Sequence, residues 1–501
     1  MLFVRTSVLC ALAALLLAAC GERTDAPQPT RVTADEAAEG AALLGLEEPG
    51  RASWEERSFS GGIYRFTGFS LVLDEAGELV ITADAMEIAA PRLEDGIVRF
   101  DRLVLENGTL PSEDGAEARF ERLVIDRPGP ELSRSVAASF TVEEAALPDL
   151  AGNLDAYSFR ELSLTGFSLS GGEFDGVMQA GAIILEQLDA DGLESARIEG
   201  LRMESHGDEP LELAIEQARI DGAGARFIAA LVAGEAANPL NLAVSANPAD
   251  FYRALRLDGL AGTASGLAFA METFRVDVSD VREGTRTRIH MPELTLSAQR
   301  NSDAGAQIEG ALAFLGYEDV VLSLESDSIY DPASDTARTQ NTNRFIWRDG
   351  LTLDFRQEIS GVAAYGEAVA AAQAAGKTGD AVMEGLDRHL LLHSFEMRLE
   401  DQSLLERSFT AYGAMLGMNP AQARLQASAL VTLGLSAAPR EVPRSFLNAI
   451  AMPLSEFVRD GGSLVLTLDP PAPVPMNTLT SPSGDFDIDR LGLSVRVERA
   501  N

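Results

Sequence analysis

Cysteine is almost absent from this chain: there are two, Cys10 and Cys20, and Cys10 lies inside an apolar leader. Only Cys20 is left downstream, so no intramolecular disulfide is available, and an exported domain would have to fold by core burial alone. A chain of 501 residues can do so, because the buried fraction rises with size. Lysine is scarcer still, Lys377 being the only one, and Lys plus Arg total 40 against 77 Asp plus Glu, a net charge of −37. The arginines are interleaved with acids rather than clustered, which excludes specific nucleic-acid binding and leaves no general basic attraction for anionic lipid headgroups. Nor is there an apolar run of the roughly 20 residues that spanning a bilayer takes. The acidity is not disorder, since 46% hydrophobic and 23% charged residues are ordinary for a globular protein.

What is present begins with a short leader. Arg5 forms a minimal positive region, Val8 to Leu17 is apolar, and Leu17-Ala18-Ala19-Cys20 closes the segment. This resembles the lipobox of bacterial lipoproteins. The resemblance implies diacylation of the Cys20 sulfur, cleavage before Cys20 and acylation of the new N-terminus, so residues 1–19 read as a signal peptide and the membrane is a partner through N-terminal lipid. Several acyl chains make such anchoring effectively permanent. Gly21 in place of aspartate implies, again by resemblance, a lipid-anchored envelope protein of the outer membrane facing the periplasm rather than the inner membrane. Residues 20–50 read as a lipidated N-terminus and flexible tether; within it, Ala34 to Leu46 reads as solvated linker in preference to a short helix.

Residues 51–360 repeat. Phe100-Asp101-Arg102-Leu103-Val104-Leu105 recurs at Phe120 to Ile125, at Phe159 to Leu164 and at Ile198 to Met203, with a looser copy at Met291 to Leu296; a unit of about 20 residues describes the spacing. In each copy the leucine and the residue two positions on share one strand face and the leading Phe or Ile points the other way, so the strand buries one face at its start and the other at its end and must sit in a strongly twisted sheet or carry a bulge near the charged pair. Asp95-Gly96, Asn107-Gly108, Asp114-Gly115, Asp191-Gly192 and Gly207-Asp208 read as turns. The fold class is therefore mainly β, a long twisted antiparallel meander of short strands with an apolar groove lined by Leu103, Leu105, Leu123, Ile125, Leu162, Leu164, Leu201 and Met203. The alternative is a parallel β-solenoid, which would stack Arg102 over Arg122 and Asp101 over Glu121, an unfavourable opposition of like charges. The meander puts a further strand between copies.

These units resemble the AsmA-like group of bacterial envelope proteins. The resemblance implies a long curved sheet whose concave apolar side cradles lipid acyl chains. The chain departs from that group at its N-terminus, with a lipobox where a retained membrane helix is usual.

Residues 361–501 read as an α+β region. Ala363 to Ala375 is helical by propensity and His389 to Glu400 extended. A helix capped by Ser403 and Glu406 carries Leu405, Phe409, Tyr412 and Leu416 on one stripe. A second starts at Asn419-Pro420, and a third starts near Pro443 and is interrupted at Pro453. Ser463 to Leu468 and Leu491 to Glu498 read as strands. Catalytic and metal chemistry finds no carrier. The histidines are His206, His290, His389 and His393, and the last two, on a strand, would sit about 13 Å apart. Asp485, Asp487 and Asp489 lack the glycine and closing acid of a calcium loop, with Arg490 and Arg496 in those places. The chain reads as a non-enzymatic lipoprotein with no cofactor, either handling lipid or another apolar ligand in the groove, or serving as a structural or accessory interaction protein of an envelope assembly machine without a lipid ligand.

Overall fold

Runs of alternating apolar residues bounded by Gly, Asp and Asn become strands, and almost every one pairs with its sequence neighbour. The structure is a computed structural model that describes residues 30–74, 79–111, 115–141, 154–172, 174–207, 210–225, 227–228, 251–299, 302–341, 343–374, 388–436, 444–477 and 488–499; Cys20, Gly21 and the leader lie outside them, as do Asp485 and Asp487. The described residues up to 228, with 251–265, form one unit, and those from 266 onward form another.

In the first unit the order is α1 (Ala34–Leu43), β1 (Ala52–Ser53), β2 (Glu56–Ser60), β3 (Ile63–Val72), β4 (Val80–Ala89), β5 (Arg92–Glu94), β6 (Ile97–Arg99), β7 (Arg102–Pro111), β8 (Ala116–Asp126), α2 (Pro130–Thr141), β9 (Phe159–Gly171), β10 (Phe174–Asp189), β11 (Gly192–Ser205), β12 (Leu211–Gly224) and β13 (Ala254–Ala264). From β7 to β13 each strand pairs antiparallel with the next, while β5 and β6 form a separate hairpin. In the second unit the order is β14 (Leu267–Val281), β15 (Gly284–Ala298), α3 (Asp303–Phe314), β16 (Val320–Asp331), β17 (Thr336–Thr339), β18 (Asn343–Trp347), β19 (Leu351–Ser360), α4 (Val362–Ala374), β20 (Leu391–Asp401), α5 (Leu404–Leu416), α6 (Pro420–Ser436), α7 (Arg444–Asp460), β21 (Ser463–Leu468), β22 (Val474–Pro475), α8 (Ile488–Leu491) and β23 (Leu493–Glu498). Its strands are likewise antiparallel throughout. The protein is thus mainly β and built as an antiparallel meander. The described residues contain no parallel pair, which removes the solenoid.

The repeated charges are kept apart differently from the sequence reading. The copies on β7, β8 and β9 lie on adjacent strands with none between them. Reversal of chain direction does the work: Arg102 pairs with Asp126, and Glu106 with Arg122, so each charge meets its opposite.

The leading aromatics also differ from expectation, and the reason is a regular interruption of the pleat. Gly68, Asn107, Gly166, Gly200 and Gly259 adopt left-handed φ values of 50–62° inside strands β3, β7, β9, β11 and β13. The registers align them in one row across the sheet, alternating with Asp84, Glu121, Gly181 and Glu216 on the strands between. Ala90, Arg127, Gln187 and Gly222 form a second left-handed row, six residues from the first on every strand it crosses. A residue in this conformation drops out of the two-residue alternation, so spacing across it becomes three. Leu164 and Phe167, on either side of Gly166, are accordingly both buried. Phe100 packs in the same core as Leu103, and Phe159 is 4% exposed, where Arg127 and Gln187 of the second row stand opposite Asp101 and Arg160 on the neighbouring segments. Asn107-Gly108 is accordingly a mid-strand feature and not a turn, and the Phe120 ring occupies the space a Gly108 side chain would need.

The core of the first unit lies on that face. Ala37, Ala41, Leu44 and Leu46 are fully buried among Phe66, Phe69, Met86, Ile88, Phe100, Leu103, Leu105 and Phe140 of α2. The segment read as a solvated linker is thus a packed helix. Its cap is a reciprocal pair: Thr33 Oγ1 accepts from Glu36 N–H, and Glu36 accepts from Thr33 N–H at 2.8 Å. Sequence reading missed α2 and α3 within the β region, although Ser302, whose Oγ accepts from Gly305 N–H at 3.0 Å, is a legible N-cap.

Candidate functional site

The eight apolar positions read as a groove do share one face, but most of it is closed. Leu103 faces Ile125, Leu105 faces Leu123, and the rows continue through Leu162 and Leu164 to Leu185 and Ile183. Leu103, Leu105, Leu162 and Leu164 are sealed, Leu164 at 1% exposure, and Leu123 and Ile125 pack against the core beneath α1 and α2. Leu201 and Met203, opposite Ile215 and Leu213 on β12, are half-exposed and lie outside that core. The first strands hold a packed core instead of an open groove, because α1, read as linker, and α2, not foreseen in the β region, pack onto it.

An open apolar face occurs in the second unit, on strands whose plain alternation is legible in Leu351-x-Leu353-x-Phe355, Phe395-x-Met397-x-Leu399 and Leu493-x-Val495-x-Val497. Register places Met291, Leu324, Phe345, Leu353, Leu399, Leu464 and Val497 in one unbroken row over seven strands. A second row runs Met271, Leu294, Leu322, Trp347, Leu351, and a third Phe355, Met397, Leu466, Val495. Every member of the first row is half-exposed and none is buried. The opposite face of the same strands is polar. Arg344 Nε donates to Asp354 Oδ1 at 2.7 Å, Arg286 Nε to Asp327 Oδ1 at 2.7 Å, and Arg398 pairs with Glu498.

The C-terminal helices leave the apolar rows uncovered where they pack. α7 contacts β21 and β23; on β21 the buried residues are Ser463 and Val465, while Leu464 and Leu466, on the other face, stay half-exposed. Two local expectations need correction here. Ser403 does not cap α5: its hydroxyl donates to the Asp349 carbonyl, and Asp401 Oδ1 accepts from Leu405 N–H at 2.9 Å instead. Burial pushes the Asp401 carboxyl above its ordinary value against the pull of those helix N–H groups. Pro453 lies within a continuous α7 and does not end it. At α6, Asn419 Oδ1 accepts from Gln422 N–H at 2.9 Å, the expected start.

The titratable groups do not converge on one centre. His393 Nε2 lies 2.8 Å from Ser360 Oγ, at a bulge where β19 and β20 lose register; His389 stands beside Arg388, and His290 lies 3.8 Å from Glu325. Asp126, buried beside Arg160 at 2.6 Å, has its carboxyl pushed up by burial, with Arg160 and Arg102 opposing. Among the described residues, no group of three or more His, Cys, Asp or Glu is placed to hold a metal ion, and no helix is long and apolar enough to cross a membrane.

A family model described as "Uncharacterized protein" matches residues 344–498, the stretch from β18 through β23. No curated protein matches the chain.

Proposed function

We propose that this is a non-enzymatic envelope lipoprotein whose second unit binds, shields or passes lipid acyl chains, or another elongated apolar ligand, on its uncovered sheet face. The observation that carries the reading is the row from Met291 to Val497, half-exposed over seven strands. Each partly wetted Leu or Phe forgoes a share of the roughly 1.5–3 kcal/mol that full burial of such a side chain supplies. A contiguous apolar surface is rare on monomeric proteins and is a common mark of a binding site. A long face of aliphatic and thioether side chains with polar groups confined to the other side suits a chain-like hydrocarbon and offers nothing to orient a polar substrate. The Leu17-Ala18-Ala19-Cys20 segment supports anchoring through lipid on Cys20, and the repeated strands keep their resemblance to AsmA-like proteins as support for the ligand class.

The test compares an open position with a sealed one in the full chain. Leu399→Asp should cut co-purifying lipid, measured by mass spectrometry of organic extracts, while shifting the urea midpoint only modestly, since a charge on a half-exposed face stays hydrated. Leu164→Asp should unfold the first unit, because an ionised group forced into a sealed core costs several kcal/mol. Wild-type protein free of lipid, or lipid content unchanged by Leu399→Asp, overturns the reading and leaves an interaction protein without a lipid ligand.

A further inference from the structure

We infer that β23 is a docking edge, on which an extended segment of a partner polypeptide adds as one more antiparallel strand. Backbone hydrogen bonding carries this, whether or not the sheet face holds lipid. In an antiparallel pair, residues that exchange hydrogen bonds alternate with residues that do not, and the latter turn their N–H and C=O to the other neighbour. Asp401 N–H donates to Gly462 O at 3.3 Å and Asp469 N–H to Gly492 O at 3.4 Å, each in register with its ladder. Counting in twos from these contacts, the even-numbered residues of β21 bond to β20 and its odd-numbered residues to β23, where they meet Ser494, Arg496 and Glu498. Leu493, Val495 and Val497 therefore direct their backbone donors and acceptors away from β21. Among the described residues no other strand pairs with β23, so this row stands open.

Edges of this kind are commonly blunted by proline, lysine or a bulge. Leu493–Glu498 contains neither proline nor lysine, and its register with β21 runs without a shift. Arg499, just beyond it, pairs with Glu456 of α7 at 3.2 Å, which holds the strand end in place. Register then selects the occupant. Opposite Leu493, Val495 and Val497, an added strand sets its side chains on the open apolar face, prolonging the rows that end at Val495 and Val497, so aliphatic residues fit there. The side chains between them fall beside Ser494, Arg496 and Glu498. Arg496 Nε donates to Glu498 Oε1 at 3.1 Å, and the rest of its exposed guanidinium accommodates a carboxylate opposite it. The partner is thus a β-segment with aliphatic residues at alternate positions and an acid between them. A second copy fits less well: α7 packs on β23, and self-pairing would bring two such helices over strands about 4.8 Å apart, where packed helices need about 8–10 Å.

The probe is the acetylated and amidated peptide Thr-Val-Glu-Val-Thr-Val, whose glutamate falls opposite Arg496 and whose valines fall opposite Leu493, Val495 and Val497. Titrated into the full chain, it should bind by calorimetry and protect the amides of Leu493, Val495 and Val497 from hydrogen exchange, leaving those of β2 unchanged. An N-methyl group on the valine opposite Val495 removes a donor of the shared ladder and should weaken binding roughly tenfold or more; one on the glutamate, whose N–H faces away, should not. Val495→Pro deletes the matching donor from the edge without taking a hydrogen bond from β21. It should weaken binding as much with circular dichroism unchanged, while Val495→Thr binds normally. Should Val495→Pro disturb the fold, the two methylated peptides on the wild type decide alone. No protection at the three amides, equal affinity of the two methylated peptides, or undiminished binding by a folded Val495→Pro chain overturns the proposal. A concentration-dependent dimer that Val495→Pro dissolves also overturns it and assigns the edge to a second copy.

Discussion

Gly166 stands at φ +62° in the middle of β9, and a side-chain carbon there would meet Glu121 Cγ at 2.3 Å. Left-handed backbone costs a residue with a Cβ roughly 1–2 kcal/mol, and the contact adds to it, so Gly166→Ala should lower the unfolding free energy from urea titration by at least that amount. Gly181 occupies the same row without a left-handed φ, and its added carbon would meet only Glu199 O at 3.3 Å; Gly181→Ala should cost clearly less. Equal costs would show that the row is not a conformational requirement. The charged residues make a second prediction. The hydrogen bonds from Arg286 hold Asp327 below the usual carboxylate value of 3.8, with burial opposing. Because the folded-state pKa is the lower one, this pair contributes stability above pH 3.8 and loses it as pH falls through the folded value. Asp327→Asn should therefore cost about 1–2 kcal/mol at pH 7, with the two stability curves converging well below pH 3.8.

At the scale of elements, α1 decides what the first strands can do. A Cβ on Gly40 would lie 2.5 Å from the backbone of Pro91 and Arg92, so the helix approaches the β5 entry as closely as a glycine permits. Gly40→Val should push α1 off this contact, cost about 1–3 kcal/mol by overpacking, and shift the emission of Trp54, which packs against the same core, to the red. Unchanged emission and midpoint would mean the approach is not required. The capping residues Thr33 and Glu36 and the small Ala37, Gly40 and Ala41 were all present in the sequence. Two early prolines and a polar composition argued for a tether; what overrode them was burial, because a short helix of low intrinsic stability forms when its small-residue face packs on a core. The apolar alternation of β19, β20, β21 and β23 was legible, since nothing interrupts it. The rows in β7 to β9 were legible only as short motifs, because the left-handed residues change the spacing from two to three and hide the common face.

For the whole molecule, the anchor is the first matter to test. A Cys20→Ala chain should leave the membrane fraction and accumulate as precursor or soluble protein without acyl label. Normal fractionation and labelling would end the lipobox reading, and density-gradient fractionation of the wild type assigns the membrane. By itself the sequence determined that the protein is mainly β and antiparallel, because alternation, short turns and the clash of repeated charges are local properties. It also determined the strong acidity and the start of α6 at Pro420. Which apolar face is closed and which stays open was decided by tertiary structure alone. Leu103 and Leu399 belong to strands with equally apolar inner faces, and nothing in their neighbours along the chain separates them. The difference is that the core of the first unit includes α1 and α2, whereas α7 packs β21 from the side of Val465 and leaves Leu464 and Leu466 half-exposed. Burial depends on what a distant segment covers, and periodicity along a strand carries no record of that.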